Sequence, residues 1–503
     1  MNDLVAFAGP NIEWLSISPL LTLLTGALFL LLVGSLTRQW PKHWYSLVAV
    51  ITSVVAIAFS VVSWIKVEND GAKLLIGGSL SLDHFALLGS IAICVAVLLV
   101  SLISTDYLTR DESDSPEIYA LYLTAAIGAV VMISANDLIV LFLGLETLSL
   151  SLYLLAASNR RQASSQEAGL KYFILGGFAS AFFLYGVALT YGVTGTTRLV
   201  DLNTALTTSI AIPRNDALLL VGIGMILVGF AFKVSLAPFQ MWTPDVYQGS
   251  PTPVTAFMAS VGKLAALISL LRVFVVAFPS RSDDWSDIVF VLSILTLVVG
   301  SVVAIVQTNV KRMLAYSSIS HAGFILVGLE ASSHGDSVNA SDGVVAVGVY
   351  VVIYAALVVG TFGIVTVVAK DSNDDSTSLD TFKGLAKNQP LLGLVMTVFL
   401  LAQAGMPLTS GFVAKFGVIQ SAVAVGSYQL AVVAMVCAVI AAFVYLRIMV
   451  SMWLADVSPG PSVVVPVFSR VAIGLAVVFT LLIGFLPSLL LDLTSNLAEL
   501  ATK

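Results

Sequence analysis

Glu146, Lys233, Lys263 and Lys415 stand inside apolar runs: NDLIVLFLGLETLSLSLYLL, GMILVGFAFKVSLAPF, FMASVGKLAALISLL and GFVAKFGVIQ. A charge on an isolated helix at the centre of a bilayer costs several kcal/mol, about +2.5 to +3.5 on insertion scales. Such residues must face a bundle interior, pair with one another or touch water. Burial disfavours the charged form of a lysine, and a neighbouring carboxylate favours it. A lysine held between these influences changes charge when its partner moves, which is what a proton relay requires. Glu146 reads as the only carboxylate deep in a span, against three lysines. That imbalance is odd for static pairing, although a structural salt bridge is the plainer alternative. His321, in NVKRMLAYSSISHAGF, titrates near neutral pH when unperturbed. It is either a proton shuttle or a satisfied buried histidine, and Tyr316, Ser317, Ser318 and Ser320 beside it could line a hydrated path. Lys171, Arg272 and Arg447 lie nearer span ends, where long side chains can snorkel to the interface.

The elements that must position these groups follow from composition. Hydrophobic residues make up 58% of the 503-residue chain and charged residues 10%, against about 25% charged in a soluble domain. Lipid tolerates that balance, and backbone groups there must pair internally, so the runs are helices. Runs long enough to cross, about 20 residues, fall near 15–36, 44–65, 84–105, 116–135, 137–156, 169–191, 215–237, 252–278, 286–306, 313–329, 344–369, 391–423, 428–450 and 470–491. The fold class is therefore an all-α integral membrane protein of about 14 spans, numbered here in that order. The opening MNDLVAFAGPNIEW has no basic stretch, so the first run is expected to remain as a span.

Two spans carry breakers. Span 7 runs into LAPFQMWTPDVYQGSPTPV, with Pro238, Pro244, Pro251 and Pro253. Span 12 contains AGMPLTSGF, with Gly405, Pro407 and Gly411. Proline removes a donor and clashes with the preceding turn, so both spans are expected to be discontinuous or kinked. Polar loops fall at 66–83, 192–214, 370–390 and 451–469, and 371–380, DSNDDSTSLD, reads as a flexible loop. With the N-terminus outside, the inner loops carry Arg38, Lys42, Arg110, Arg160, Arg161, Lys311, Arg312, Lys370, Lys383, Lys387 and Arg470. The outer segments carry Lys66, Lys73, Arg198, Arg214, Arg281 and Lys503. The excess of inner basic residues favours both termini outside. No basic stripe suggests nucleic acid. Cys94 and Cys437 are isolated and read as small buried hydrophobes. His43, His84, His321 and His334 are scattered, with no pair at helical spacing for haem. No Rossmann-type glycine fingerprint is present.

Four stretches carry a family resemblance. FKVSLAPFQMWTPDVYQGSPTPV at 232–254 is followed by Lys263. The others are EAGLKYFILGGFASAFFLYG at 167–186, NVKRMLAYSSISHAGF at 309–324 and LAQAGMPLTSGFVAKF at 401–416. In this order and spacing they resemble subunit N (subunit 2) of the proton-pumping NADH:quinone oxidoreductase, respiratory complex I. The resemblance implies an antiporter-like fold: helices 1–3 at 1–115, two inverted five-helix repeats at 116–278 and 286–450, and a C-terminal loop and helix 14 at 451–503. Discontinuous helices 7 and 12 are part of it. By the same resemblance Glu146 matches a glutamate that pairs with Lys233, Lys263 a central relay lysine, His321 a polar residue on the central axis, and Lys415 the terminal lysine. The family often has histidine where this chain has Gln240, a position read here as structural.

The implied function is proton translocation within an oxidoreductase complex, with no redox centre on this chain. NADH, FMN, iron–sulfur clusters and quinone are expected on other subunits. The implied partners are other membrane-arm subunits, including antiporter-like ones, and the lipid bilayer, and the implied location is a bacterial plasma membrane. The alternatives are a subunit of a multi-subunit sodium/proton antiporter and a non-pumping structural subunit.

Overall fold

A computed structural model describes residues 12–37, 41, 43–110, 114–208, 213–334, 340–369, 377–456 and 464–500. Arg38, Lys42, Lys370 and Lys503 of the charge count, and 371–376 of the polar loop, lie outside the described residues.

Thirteen helices among the described residues are long and apolar enough to cross a membrane. Spans 1 to 6 are Ser18–Leu36, Trp44–Asp70, His84–Arg110, Pro116–Ser134, Leu138–Ala156 and Ala163–Thr194. Span 7 is Pro213–Val234 and, past a break, Trp242–Gly249, and span 8 runs over Thr252–Ala277. Spans 9 to 11 are Pro279–Ile305, Val310–Ser332 and Ala340–Val368. Spans 13 and 14 are Tyr428–Trp453 and Val467–Phe485. Two shorter apolar helices, Pro390–Ala404 and Ser410–Ala424, meet end to end and make span 12. The loop 66–83 is not irregular throughout: Lys73–Leu75 and Leu80–Leu82 form an antiparallel hairpin with Lys73 opposite Leu82.

Helices begin earlier or run longer than the apolar runs suggest. Span 6 starts at Ala163 rather than near 169, so Lys171 sits two turns inside it. The first turns, SSQEAG, are polar because they stand at the surface, and a hydropathy window does not count them as helix.

Position in the bundle sorts the spans. In spans 8 and 10, 94% of the most apolar window is buried, and in span 11, 89%, whereas span 1 reaches 28%. Spans 8, 10 and 11 are thus the central helices, and they bear Lys263 and His321. Span 8 also contains two π-helical turns, Met258–Gly262 immediately before Lys263 and Val273–Ala277 near its end. Such turns replace the regular ladder and are frequent at functional sites.

Both breaks are stabilised by their neighbours. Span 7 stops at Val234, Ser235 takes φ 65°, and Ala237–Pro238 is cis. Freed backbone groups at membrane depth must find partners. Trp242 Nε1 donates to the Phe232 carbonyl at 3.0 Å, the Ala237 N–H to Thr296 Oγ1 of span 9 at 3.0 Å, and Thr243 Oγ1 to Ser235 Oγ at 2.6 Å. Span 12 stops at Gly405, whose φ of 89° is the left-handed helix end that glycine favours. Its N–H still reaches the Leu401 and Ala402 carbonyls, and Thr409 Oγ1 donates to the Met406 carbonyl at 2.6 Å. A Cβ at Gly411 would collide with the Ala402 carbonyl, so the two half-helices overlap at a point where only glycine fits.

Candidate functional site

Lys263 is 2% exposed and donates from Nζ to the Ser318 carbonyl of span 10 at 2.9 Å. Ser318 Oγ lies 2.5 Å from Tyr354 Oη of span 11. One turn further along span 10, His321 Nδ1 is 2.8 Å from Tyr350 Oη, and its ring packs 5.1 Å from that of Tyr354. On the other side, Tyr445 Oη of span 13 is 3.3 Å from His321 Nε2 and 2.5 Å from Ser317 Oγ. Ser317 Oγ donates to Gln403 Oε1 at 3.4 Å, and Gln403 Nε2 to Thr361 Oγ1 at 2.6 Å. Lys415, 5% exposed, completes the row: its Nζ donates to the Ala404 carbonyl, next to Gln403, at 3.1 Å. The same ammonium lies 4.7 Å from the centre of the Phe324 ring, a favourable placement for a cation over an aromatic face. Lys263, His321 and Lys415 therefore share one buried polar row, with hydroxyls and an amide filling the intervals.

The other two predicted residues sit apart from this row. Lys233, 5% exposed, donates to Ser149 Oγ of span 5 at 2.7 Å and lies 5.6 Å from the centre of the Tyr172 ring. Glu146 instead accepts a hydrogen bond from Ser180 Oγ of span 6. Among the described residues no ion pair joins Glu146 to Lys233, so the expected direct pair is replaced by two serine bonds. The reason is geometric. Ser149, three residues after Glu146, points at Lys233, while Glu146 turns to the flank of span 5 between exposed Leu143 and Leu150 and is itself only half-buried. A cavity of about 10 Å³ is lined by Lys233, by Tyr153 and by the two serines, Ser149 and Ser180. That is room for about one water. No hydrogen-bonded chain of described side chains links Lys233 to Lys263. Tyr247, on the second half of span 7, is buried with its hydroxyl unbonded.

The span-end charges divide. Arg272 does not snorkel: it is 1% exposed and grips Asp83 through Nη1 and Nη2 at 2.8 and 2.7 Å. Lys171 is at the surface, bonded to Glu167 at 2.6 Å and to Asp245 at 2.9 Å, and Asp245 also holds Arg312 at 2.6 Å. These residues line an open pocket of about 160 Å³. Arg447 Nη1 donates to the carbonyls of Ile305 and Gln307 at 2.7 and 2.8 Å, closing the C-terminal end of span 9. Gln240 is half-buried, with Oε1 enclosed and unbonded.

Glu146 is not the only carboxylate in a span, and a second one is better enclosed. Glu330, at the end of span 10, is 4% exposed and accepts from Ser427 Oγ at 2.6 Å, with His334 Nε2 at 3.2 Å. It closes the apolar run by one residue, so a window ending at 329 leaves it in the loop. Tyr350, Tyr354, Gln403 and Tyr445 were also missed. Nothing in their local sequence separates them from ordinary buried residues. Among the described residues no three His, Cys, Asp or Glu gather as metal ligands.

This fold and its buried row define an antiporter-like membrane subunit, and residues 135–441 match the family described as NADH:quinone oxidoreductase/Mrp antiporter, transmembrane. An NADH-quinone oxidoreductase subunit N of Trichlorobacter lovleyi is 40% identical over 84% of this chain and 85% of its own length. The subunit N of Salinispora arenicola is 38% identical over 97% and 98%. A chain of respiratory complex I from Thermus thermophilus, solved with bound aureothin, superposes with a TM-score of 0.77. It is 32% identical and covers 94% of this chain and 98% of its own. The chain belongs to the subunit N family of NADH-quinone oxidoreductases, and it is a multi-pass membrane protein.

Proposed function

We propose that this chain translocates protons as a membrane-arm subunit of a bacterial NADH:quinone oxidoreductase, using Glu146, Lys233, Lys263, His321 and Lys415. The observation that carries the reading is the alignment of Lys263, His321 and Lys415 in one buried row, with hydroxyls and an amide between them, centred on the most enclosed helices. Deep polar groups of this kind are expensive unless function retains them. Lys233, which shares a one-water cavity with Ser180, the donor to Glu146, is the entry to the row. A change of charge beside Glu146 alters the field at Lys233, and protons redistribute between Lys263 and Lys415.

The outward placement of Glu146 supports a neighbouring membrane subunit on that flank. A half-exposed carboxylate between exposed Leu143 and Leu150 would be costly against lipid. NADH, FMN, iron–sulfur clusters and quinone then belong to other subunits, and oxidation energy reaches this chain through its contacts. The chain is thus part of an enzyme as a translocase subunit, set in the plasma membrane with both termini outside.

Matched details support two inverted five-helix repeats, spans 4–8 and 9–13. Asp137 caps span 5 and accepts from Thr197 Oγ1 at 2.6 Å, and it bridges the backbone at Arg198. Asn309 caps span 10, donates to Thr377 Oγ1 at 2.8 Å, and bridges the backbone at Ser378. These are the second helices of the two sets, and their caps lie on opposite faces. The fourth helix of each set is the broken one, with a non-glycine residue, Ser235 or Leu408, at φ 65° in the break.

In inside-out membrane vesicles, Lys263→Ala is expected to lower the protons moved per electron while the complex assembles normally. Unchanged pumping would remove Lys263 from the relay. The matched family also contains Mrp antiporters, so isolation of the native complex decides between the two. Copurifying NADH- and quinone-linked subunits support the oxidoreductase, and sodium-dependent pH changes without them support the antiporter.

A further inference from the structure

We propose that Glu330, with His334 and Ser427, forms the proton-release site of this subunit, receiving protons from Lys415 and passing them to the face reached by the ends of spans 10 and 12. That face is the outer one when both termini are outside. The proposal rests on the relay reading of Lys263 and Lys415.

Glu330 is enclosed, yet only half of its carboxylate is used. Oε1 accepts from Ser427 Oγ at 2.6 Å and faces His334 Nε2 at 3.2 Å, while Oε2 is buried without a partner. A buried carboxylate with an unbonded oxygen is costly unless it serves a purpose. Its neighbours form a graded exit. The carboxylate is 4% exposed, and the His334 side chain is 42% exposed and opens to solvent. Among the described residues no lysine or arginine pairs with Glu330.

Lys415 is positioned to supply it. Its ammonium lies against Phe324, six residues before Glu330 on span 10, which is about 9 Å along a helix. Between the two levels, span 10 packs on span 12 and span 11 through Gly328. A Cβ there would come 2.8 Å from Val347 and 3.1 Å from Val418. This short apolar step blocks a proton while it is dry and conducts one when water enters it. The transfer balances: Lys415 ammonium gives its proton through that water to the Glu330 carboxylate, leaving an amine and a carboxylic acid. The acid passes the proton to the His334 imidazole and returns to carboxylate, and the imidazolium releases it to water or a buffer base.

The test uses the whole complex in proteoliposomes, reading protons moved per electron and the rate of proton release. Glu330→Gln keeps an acceptor for Ser427 but cannot carry a proton, and it is expected to abolish this subunit's share of the ratio. Glu330→Asp is expected to retain it. If Lys263→Ala lowers the ratio and Glu330→Gln does not, the release site is overturned and the relay stands. If neither variant lowers it, the relay reading itself has failed. Should Glu330→Gln not assemble, His334→Gln decides. Release is expected to slow, and imidazole in the medium on that side to restore it. Unslowed release, or slowing without rescue, overturns the assignment.

Discussion

At the scale of residues, the site separates charges that are fixed from charges that are not. The Asp83–Arg272 pair is the fixed kind, because both side chains are enclosed and joined by two hydrogen bonds. Removing one partner of such a pair leaves an uncompensated charge, at about 3–5 kcal/mol. Asp83→Ala is expected to lower the midpoint of thermal unfolding in detergent sharply. Asp83→Leu with Arg272→Met is expected to recover most of the loss, which a double-mutant cycle would read. Lys233 shows the other kind: its acceptor is a neutral hydroxyl. Ser149→Ala leaves the ammonium without that acceptor and is expected to reduce pumping with little loss of stability, checked by proton uptake in vesicles. The identity of the lysines was legible in the sequence because charge in an apolar run stands out. Their partners were legible only in part: Ser317 and Ser318 stood out beside His321, but not the groups from other spans that they meet. Ser318, Tyr354 and Tyr445 come together from three spans, and Gln403 from a fourth. A hydropathy window reads a tyrosine or serine in a span as unremarkable.

At the scale of elements, the two broken helices were announced by their prolines and glycines, and the structure adds what makes the breaks tolerable. In span 7 the Ala237 N–H depends on Thr296 of a neighbouring helix. Thr296→Val keeps the shape and leaves that donor buried and unbonded, at about 1–3 kcal/mol. A lower unfolding midpoint of the purified complex would register it. In span 12, Gly411→Ala forces a methyl group into the Ala402 carbonyl. It is expected to displace the second half-helix that carries Lys415, and so to reduce pumping more than Gly177→Ala, where a Cβ meets open space. The π-helical turns around Lys263 had no counterpart in the sequence reading. The first of them, just before Lys263, packs against span 11 and against spans 3 and 4, and local propensity does not encode it.

At the scale of the whole molecule, the apolar runs mapped the spans well because the bilayer imposes a length. They failed where helices project beyond it, as at Ala163, and where a loop folds, as in the hairpin of Lys73–Leu82. That hairpin is held to the chain start by Glu13, which accepts from Lys66 and Lys73, each at 2.8 Å. The two ammonium groups hold the Glu13 carboxyl down at about 2, from an ordinary 4.5. A depressed value means the tether is fully present above about pH 4.5 and is lost as pH falls towards 2. The cluster is a partly exposed one, so its worth is below about 1 kcal/mol. Faster amide exchange in the hairpin below pH 4, with spans 8 and 10 unchanged, would bear this out.

Lys263 and Lys415 both rest on main-chain oxygens, those of Ser318 and Ala404. No amino-acid replacement deletes a main-chain oxygen. Mutational drift at positions 318 and 404 therefore leaves both ammonium groups their acceptors. What can withdraw them is a shift of span 10 or of the first half of span 12, so these two cations report helix displacement directly, whatever side chains the moving helix carries.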